Sequence, residues 1–190
     1  IRLFCLWLRA FAPCATPAPM KNDALFRLAG LASILAGSGR IVAAFPWSSD
    51  AASLEALYDG IDALLLFAVM GIYFARKDQL GALGFMSFAV AIASLSFIGG
   101  PDADPFGFST YQQGAYALAI AMVGMSLAWW RGGQRPLWAP LCWFGSVIAV
   151  GVFRVLPAPA PDYGFAAAGI LFGVGFVIAG LDLIRTPARG

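Results

Sequence analysis

The chain has 190 residues, of which 61% are hydrophobic and only 12% are charged, and its mean hydropathy is +0.80. An ordinary soluble domain has roughly 45 to 50% apolar and about 25% charged residues, so this composition excludes a soluble globular fold and a disordered chain. The absence of histidine and a net charge of only +2 argue against imidazole-based hydrolases, histidine-ligated metal sites and nucleic-acid binding.

The first part of the chain, residues 1–22, differs in character from the rest. It contains Cys5, Trp7, Cys14 and three prolines, and Met20 opens a basic flank that leads into the first long apolar run. The apolar part of residues 1–12 is too short to cross a bilayer. Two interpretations stay open: an interfacial amphipathic helix, or upstream read-through that does not belong to the native protein.

Six apolar runs of about the 20 residues that a helix needs to cross a bilayer follow within residues 23–190. The runs show no alternation of apolar and polar residues, so they predict helices rather than the strands of a barrel. The predicted fold class is therefore all-α, a polytopic bundle of six transmembrane helices. The predicted spans lie near 24–45, 56–75, 80–98, 111–130, 137–156 and 165–184.

Basic and acidic residues alternate between the loops that join these runs. Ten of the twelve Lys and Arg residues precede or open span 1, or follow spans 2, 4 and 6, whereas the intervening loops contain acids and no basic residue. Because short cytoplasmic loops collect Lys and Arg, this pattern predicts a multi-pass protein of the cytoplasmic membrane with both termini in the cytoplasm. Four tryptophans are interpreted as anchors at that interface: Trp129, Trp130, Trp138 and Trp143.

An internal repeat is the second prediction about architecture. Each third of the membrane domain reads as helix, acidic or proline-rich loop, helix and basic turn, which predicts three tandem helical hairpins. The thirds are 55, 55 and 56 residues long and span residues 25–79, 80–134 and 135–190. The alternative is coincidence, because any six-span protein with short loops divides into similar thirds.

Ionisable residues inside the spans are candidates for function because their burial in lipid is costly. Arg40 lies roughly 7 to 8 Å below the outer end of span 1, and Asp62 enters span 2 from the same side with Asp59 one turn before it. The candidate outer polar layer consists of Arg40, Asp59, Asp62, Gln112, Gln113 and Arg154. It is interpreted either as a shallow pocket for a polar solute or lipid head, or as a structural ion pair beside snorkelling side chains. Asp182 is expected to pair with Arg185 or with a neighbouring basic turn.

Small residues at four-residue spacing form a second group of candidates, because they let transmembrane helices approach closely. Ser33 with Gly37 in span 1, and Gly169 with Gly173 in span 6, fit this pattern. Two interpretations are open: packing within the bundle, or an interface with a second copy of the chain or with another membrane protein.

The sequence contains no pattern that carries catalytic or cofactor chemistry. Its two lysines, Lys21 and Lys77, lie at the predicted cytoplasmic edge, and the intramembrane serines have no basic companion that could activate them. We therefore expect a non-enzymatic membrane component, without metal or cofactor, that packs against partner subunits or binds an apolar or amphipathic ligand. The alternative is a small-solute or ion transporter that uses the outer polar layer.

Overall fold

The computed structural model describes residues 22–45, 50–99 and 109–185, and these residues form five helices. The helices are α1 (Asn22–Ala43), α2 (Ala51–Ile98), α3 (Thr110–Arg131), α4 (Trp138–Arg154) and α5 (Ala160–Arg185). The prediction of an all-α fold is confirmed. The predictions for the N-terminal segment concern residues that, apart from Asn22, lie outside the described part.

Polar residues mark where two of the helices begin. The carboxylate of Asp50 accepts a hydrogen bond from the backbone N–H of Ser53 at 3.0 Å, and the hydroxyl of Ser109 accepts one from the N–H of Gln112 at 3.3 Å. Each bond satisfies a backbone donor that the first turn of a helix cannot pair internally. The hydroxyl and the N–H of Ser53 also lower the pKa of the exposed Asp50 carboxyl.

Helix α2 differs from the prediction, which divides it into two spans separated by a charged turn. The helix continues through Arg76 and Lys77, and only Gly81 has non-helical backbone angles, with φ 60° and ψ −162°. Such angles are open almost solely to glycine, because a Cβ would clash with the backbone there. A single glycine therefore separates a first arm, residues 51–80, from a second arm, residues 82–98.

The two arms of α2 lie side by side. The ring of Tyr73 on the first arm stacks on the ring of Phe88 on the second, with 4.2 Å between their centroids and 9° between their planes. In a straight helix, residues 15 positions apart would be separated by about 22 Å along the axis. The stacking therefore requires the chain to reverse its direction at Gly81.

The helices pack in a closed order that returns from α5 to α1. The first arm of α2 packs on α1, the second arm on α3, and α4 packs on both α3 and α5. Helices α1 and α5, the first and the last, also pack closely, because glycines face each other across their contact. A Cβ on Gly30 would lie 2.8 Å from the carbonyl oxygen of Gly180, so neither position accepts a side chain without movement.

The interior and the outer surface of the bundle are both apolar. Large side chains from four helices are fully buried, among them Leu65, Met122, Trp143 and Phe176. Equally large side chains point outward on every helix, for example Leu28, Phe67, Ile120, Ile148 and Phe165. An outer surface of this kind is suited to lipid rather than to water.

Three helical stretches are long and apolar enough to cross a membrane: Ala24–Ala43, Ala52–Ile98 and Tyr163–Arg185. The second is 47 residues long, more than twice the length of about 20 residues that one crossing needs. Helix α4 is also apolar but has 17 residues, and α3 carries two glutamines in its first turn. The described part of the chain thus has the helices of a membrane protein.

Candidate functional site

Two groups of charged side chains lie at opposite ends of the bundle. The Arg40 cluster, formed by Arg40, Tyr58 and Asp62, joins the end of α1 to the start of the first arm of α2. The Arg76 cluster, formed by Arg76, Trp129, Trp143 and Asp182, joins α2, α3, α4 and α5. Asp62 and Arg76 are 14 residues apart on the first arm, which separates the clusters by roughly 21 Å along its axis.

The Arg40 cluster is an ion pair with an aromatic neighbour. Nη2 of Arg40 donates to Oδ1 of Asp62 at 3.2 Å, and the two side chains are 20% and 8% exposed. The guanidinium carbon lies 5.6 Å from the centroid of the Tyr58 ring, within the range of a cation–π contact. Nε of Arg40 is buried and has no hydrogen-bond partner. The pair therefore closes one end of the contact between α1 and α2 while it stays partly open to its surroundings.

The other residues of the predicted polar layer lie apart from this ion pair. Asp59 is exposed one turn before Asp62, and Gln112 and Gln113 are exposed in the first turn of α3. Nη1 of Arg154 donates to the hydroxyl of Tyr116 at 3.1 Å, which connects α4 to α3. The structure thus places Arg40 and Arg154, the two arginines inside predicted spans, in contacts between different helix pairs.

The small residues predicted to serve helix packing lie in the contact between α1 and α5. Gly37 and Gly173 face each other so closely that a Cβ on either would collide with the backbone of the other. The hydroxyl of Ser33 donates to the carbonyl oxygen of Phe176 at 2.7 Å, and Gly169 lies beside Ala44 further along the same contact. The chain itself therefore occupies these small-residue faces.

The Arg76 cluster was not identified from the sequence as a group. Arg76 is 7% exposed, and its Nη2 pairs with the carboxylate of Asp182 on α5. Its guanidinium carbon lies 4.3 Å from the centroid of the Trp129 ring on α3, a close cation–π contact. The sequence offers one signal, the acid Asp182 in an apolar helix, which is expected to pair with Arg185 or with a neighbouring basic turn. The second alternative is correct, because the partner is Arg76, 106 positions away in the basic turn that follows the predicted span 2.

The interpretation of Trp129 and Trp143 as interfacial anchors is wrong. Both are 0% exposed, because they pack on each other and on Arg76 and Phe176, whereas Trp138 is 69% exposed. The ring of Trp143 meets Trp129 edge to face at 5.8 Å and lies 5.2 Å from Phe176. These aromatic rings continue the cluster from the Arg76 ion pair into the core.

Three buried donors of the Arg76 cluster have no hydrogen-bond partner among the residues that the structure describes. They are Nη1 of Arg76, Nε1 of Trp129 and Nε1 of Trp143. All three are N–H groups, and none of them can act as an acceptor. Buried donors without partners are rare and cost free energy. A hydrogen-bond acceptor that reached these groups would therefore bind favourably at this end of the bundle.

The described residues offer little to a metal ion. Across residues 22–45, 50–99 and 109–185, no three Cys, Asp or Glu side chains are grouped so that they could ligate one. Cys142 on α4 is a free, partly buried thiol.

Comparisons with known proteins found no matching protein family, no matching curated protein and no matching solved structure. The fold and the site therefore define only a class, a helical protein with helices long and apolar enough to cross a membrane.

Proposed function

We propose that the protein is a six-span, multi-pass protein of a cytoplasmic membrane, built from three tandem helical hairpins. The reversal at Gly81 supports two crossings by α2, and α1, α3, α4 and α5 supply one each. The hairpins are α1 with the first arm, the second arm with α3, and α4 with α5.

The orientation follows from the charges at the two ends. The end that holds the Arg76 cluster also carries Arg27, Lys77, Arg131 and Arg185, whereas the other end carries mainly acids. Because Lys and Arg collect on the cytoplasmic side, the Arg76 end faces the cytoplasm, and so do both termini.

Within the membrane, the protein is a non-enzymatic component that packs against partner subunits or binds an apolar or amphipathic ligand. The observation that carries this proposal is the apolar outer surface, to which every helix contributes large exposed side chains. The small-residue faces of α1 and α5 are already covered by each other. A partner subunit or a ligand must therefore bind to this outer surface, which it reaches from the lipid.

Native mass spectrometry of protein extracted in a mild detergent tests this role. We expect a complex with a partner subunit, a second copy or a bound lipid-like molecule that survives purification, because apolar surfaces in contact exclude the detergent. The same preparation after exchange into a harsh detergent is the control. A monodisperse monomer that retains nothing in the mild detergent would contradict the proposal.

A transporter is the second candidate, and the Arg40 cluster is the observation that favours it. An ion pair in the outer half of a membrane protein, partly open to its surroundings, is a common element of a solute or ion pathway. The pair also has a plain structural use, because it fastens α1 to the first arm of α2.

The variant Asp62→Asn separates these two uses of the ion pair. If the pair serves transport, the variant loses flux in proteoliposomes while its unfolding midpoint changes little. If the pair is structural, the midpoint falls, and the wild-type protein shows no flux above empty liposomes. Flux is followed with an enclosed pH-sensitive dye and by light scattering during swelling in glycerol. Asp59→Asn, an exposed acid one turn away, is the matched control and is expected to leave both measurements unchanged.

A further inference from the structure

The unpartnered donors of the Arg76 cluster belong to neighbouring side chains. The guanidinium of Arg76 lies over the ring of Trp129, and the ring of Trp129 meets that of Trp143. Nη1 of the arginine and Nε1 of both indoles are buried without a hydrogen bond to any described residue. Nε1 of Trp143 packs against Gly175 on α5, whereas the donors of Arg76 and Trp129 belong to two side chains in direct contact.

A molecule that satisfies these groups must supply an acceptor. The charge of the Arg76 guanidinium is already balanced, because its Nη2 pairs with the carboxylate of Asp182. An anion bound at Nη1 would lie next to that carboxylate and be repelled by it. The chemistry therefore favours a neutral oxygen acceptor, such as a carbonyl group, over a phosphate or another anion.

The position of the cluster indicates what carries this carbonyl. Trp129 lies two residues before the end of α3, and Asp182 lies three residues before the end of α5. At this level, just inside the proposed cytoplasmic surface, lie the polar heads of amphiphiles whose apolar parts extend into the lipid. The aromatic rings of Trp143, Phe176 and Phe172 continue from the cluster into the core. The carboxylate of Asp182, 25% exposed, is where the cluster reaches the surface.

We propose that the Arg76 cluster is a binding site for the carbonyl oxygen of a neutral-headed amphipathic ligand. The oxygen accepts hydrogen bonds from Nη1 of Arg76 and Nε1 of Trp129, and the aromatic rings hold the apolar part nearby. The inference rests on the proposed binding of an amphipathic ligand and specifies its chemistry. Two sources share this chemistry: the ester of a glycerolipid and the ring carbonyl of a quinone.

Paired probes that differ only in the carbonyl test the inference. The full-length protein is stripped of lipid in an alkyl maltoside, a detergent without carbonyl groups, and its thermal unfolding midpoint is measured with each probe added. One pair is an ester-linked phosphatidylcholine and its ether-linked analogue; the other is an alkyl benzoquinone and the matching alkylbenzene. The carbonyl-bearing member of at least one pair is expected to raise the midpoint well above its partner, since binding to the folded state alone stabilises it. The pair whose carbonyl-bearing member raises the midpoint identifies the source of the carbonyl group.

One variant then locates the binding site. Trp129→Phe keeps an aromatic ring and removes the N–H group. Trp129→Phe is expected to weaken binding of the responding probe about tenfold, the effect of one lost hydrogen bond in an apolar site. Trp130→Phe, the adjacent and partly exposed tryptophan on α3, is the matched control and should bind as the wild type does. Trp129 is fully buried, so the smaller ring leaves a cavity and the unliganded Trp129→Phe protein is expected to unfold below the wild-type midpoint. Binding is therefore compared as the rise in midpoint that the probe produces within each variant.

Equal midpoints with both members of each pair would overturn the inference, and so would wild-type affinity in Trp129→Phe. In that case the buried donors hold water. Retention of some other molecule in native mass spectrometry would still support the proposed function, so the two failures can be told apart.

Discussion

Replacing Asp182 by asparagine is expected to lower the free energy of unfolding by about 3 to 5 kcal/mol, the cost of leaving a buried charge without its partner. Arg76 is 93% buried and contacts only one described carboxylate, so in this variant no described acid balances its charge, although the new amide oxygen can still accept a hydrogen bond. Unfolding in mixed micelles of dodecyl maltoside and increasing dodecyl sulfate measures the loss.

Matched variants distinguish the loss of the ion pair from a general effect of removing a charge. Lys77→Gln removes the exposed neighbour of Arg76 and is expected to change the free energy of unfolding by no more than about 0.5 kcal/mol. The double variant Arg76→Met with Asp182→Leu removes both charges together, and it should be more stable than either single removal, because no buried charge remains. If Asp182→Asn is as stable as Lys77→Gln, the pair contributes nothing and the packing of α2 on α5 has another basis.

The second large effect is expected at the contact between α1 and α5. Gly37→Ala should destabilise the protein by about 1 to 3 kcal/mol, the usual cost of forcing additional atoms into a packed contact. The new methyl group would collide with the carbonyl oxygen of Gly173 and lie 2.9 Å from Cγ2 of Val177. The two helices can accommodate it only by moving apart, and the hydrogen bond from Ser33 to Phe176 would then lengthen.

The same substitution at an open position should have the opposite sign. Gly60 lies on an exposed face of the first arm, and a Cβ there would have no neighbour within 4 Å. Gly60→Ala is therefore expected to stabilise the helix by about 0.5 to 1 kcal/mol, because alanine is the better helix former. The free energies of unfolding of Gly37→Ala and Gly60→Ala are measured in the same mixed micelles. Equal effects at Gly37 and Gly60 would mean that α1 and α5 do not pack as described.

Sequence reasoning predicted the helices well because their signal is local. The predicted spans 24–45 and 111–130 correspond to α1 and α3 within two residues at each end, since the length of the apolar run marks these boundaries. The sequence predicts the separation of spans 2 and 3 at the polar residues 76–79, three of which are charged. The structure keeps these residues helical and turns at Gly81, because a positive φ needs glycine whereas a charged residue is compatible with a helix.

The candidate site was predictable only in part. Arg40 and Asp62 could be expected to meet, because they lie at similar depth on helices joined by a short loop. Arg154 was grouped with them by depth alone, yet its contact is with Tyr116 on α3. Depth along a span gives the height of a residue in the bundle, but it does not give the direction in which the side chain points around the helix axis.

The amino-acid sequence alone determined that the chain is helical and apolar and which residues make up most of its helices. It also determined where the few charges lie along those helices. Only the tertiary structure decided that α5 returns to pack on α1, that Arg76 reaches Asp182, and that Trp129 and Trp143 are enclosed. The physical reason is that lipid is as apolar as a protein core. A helix in lipid therefore carries apolar residues on all of its faces, and the pattern that separates inside from outside in water is absent.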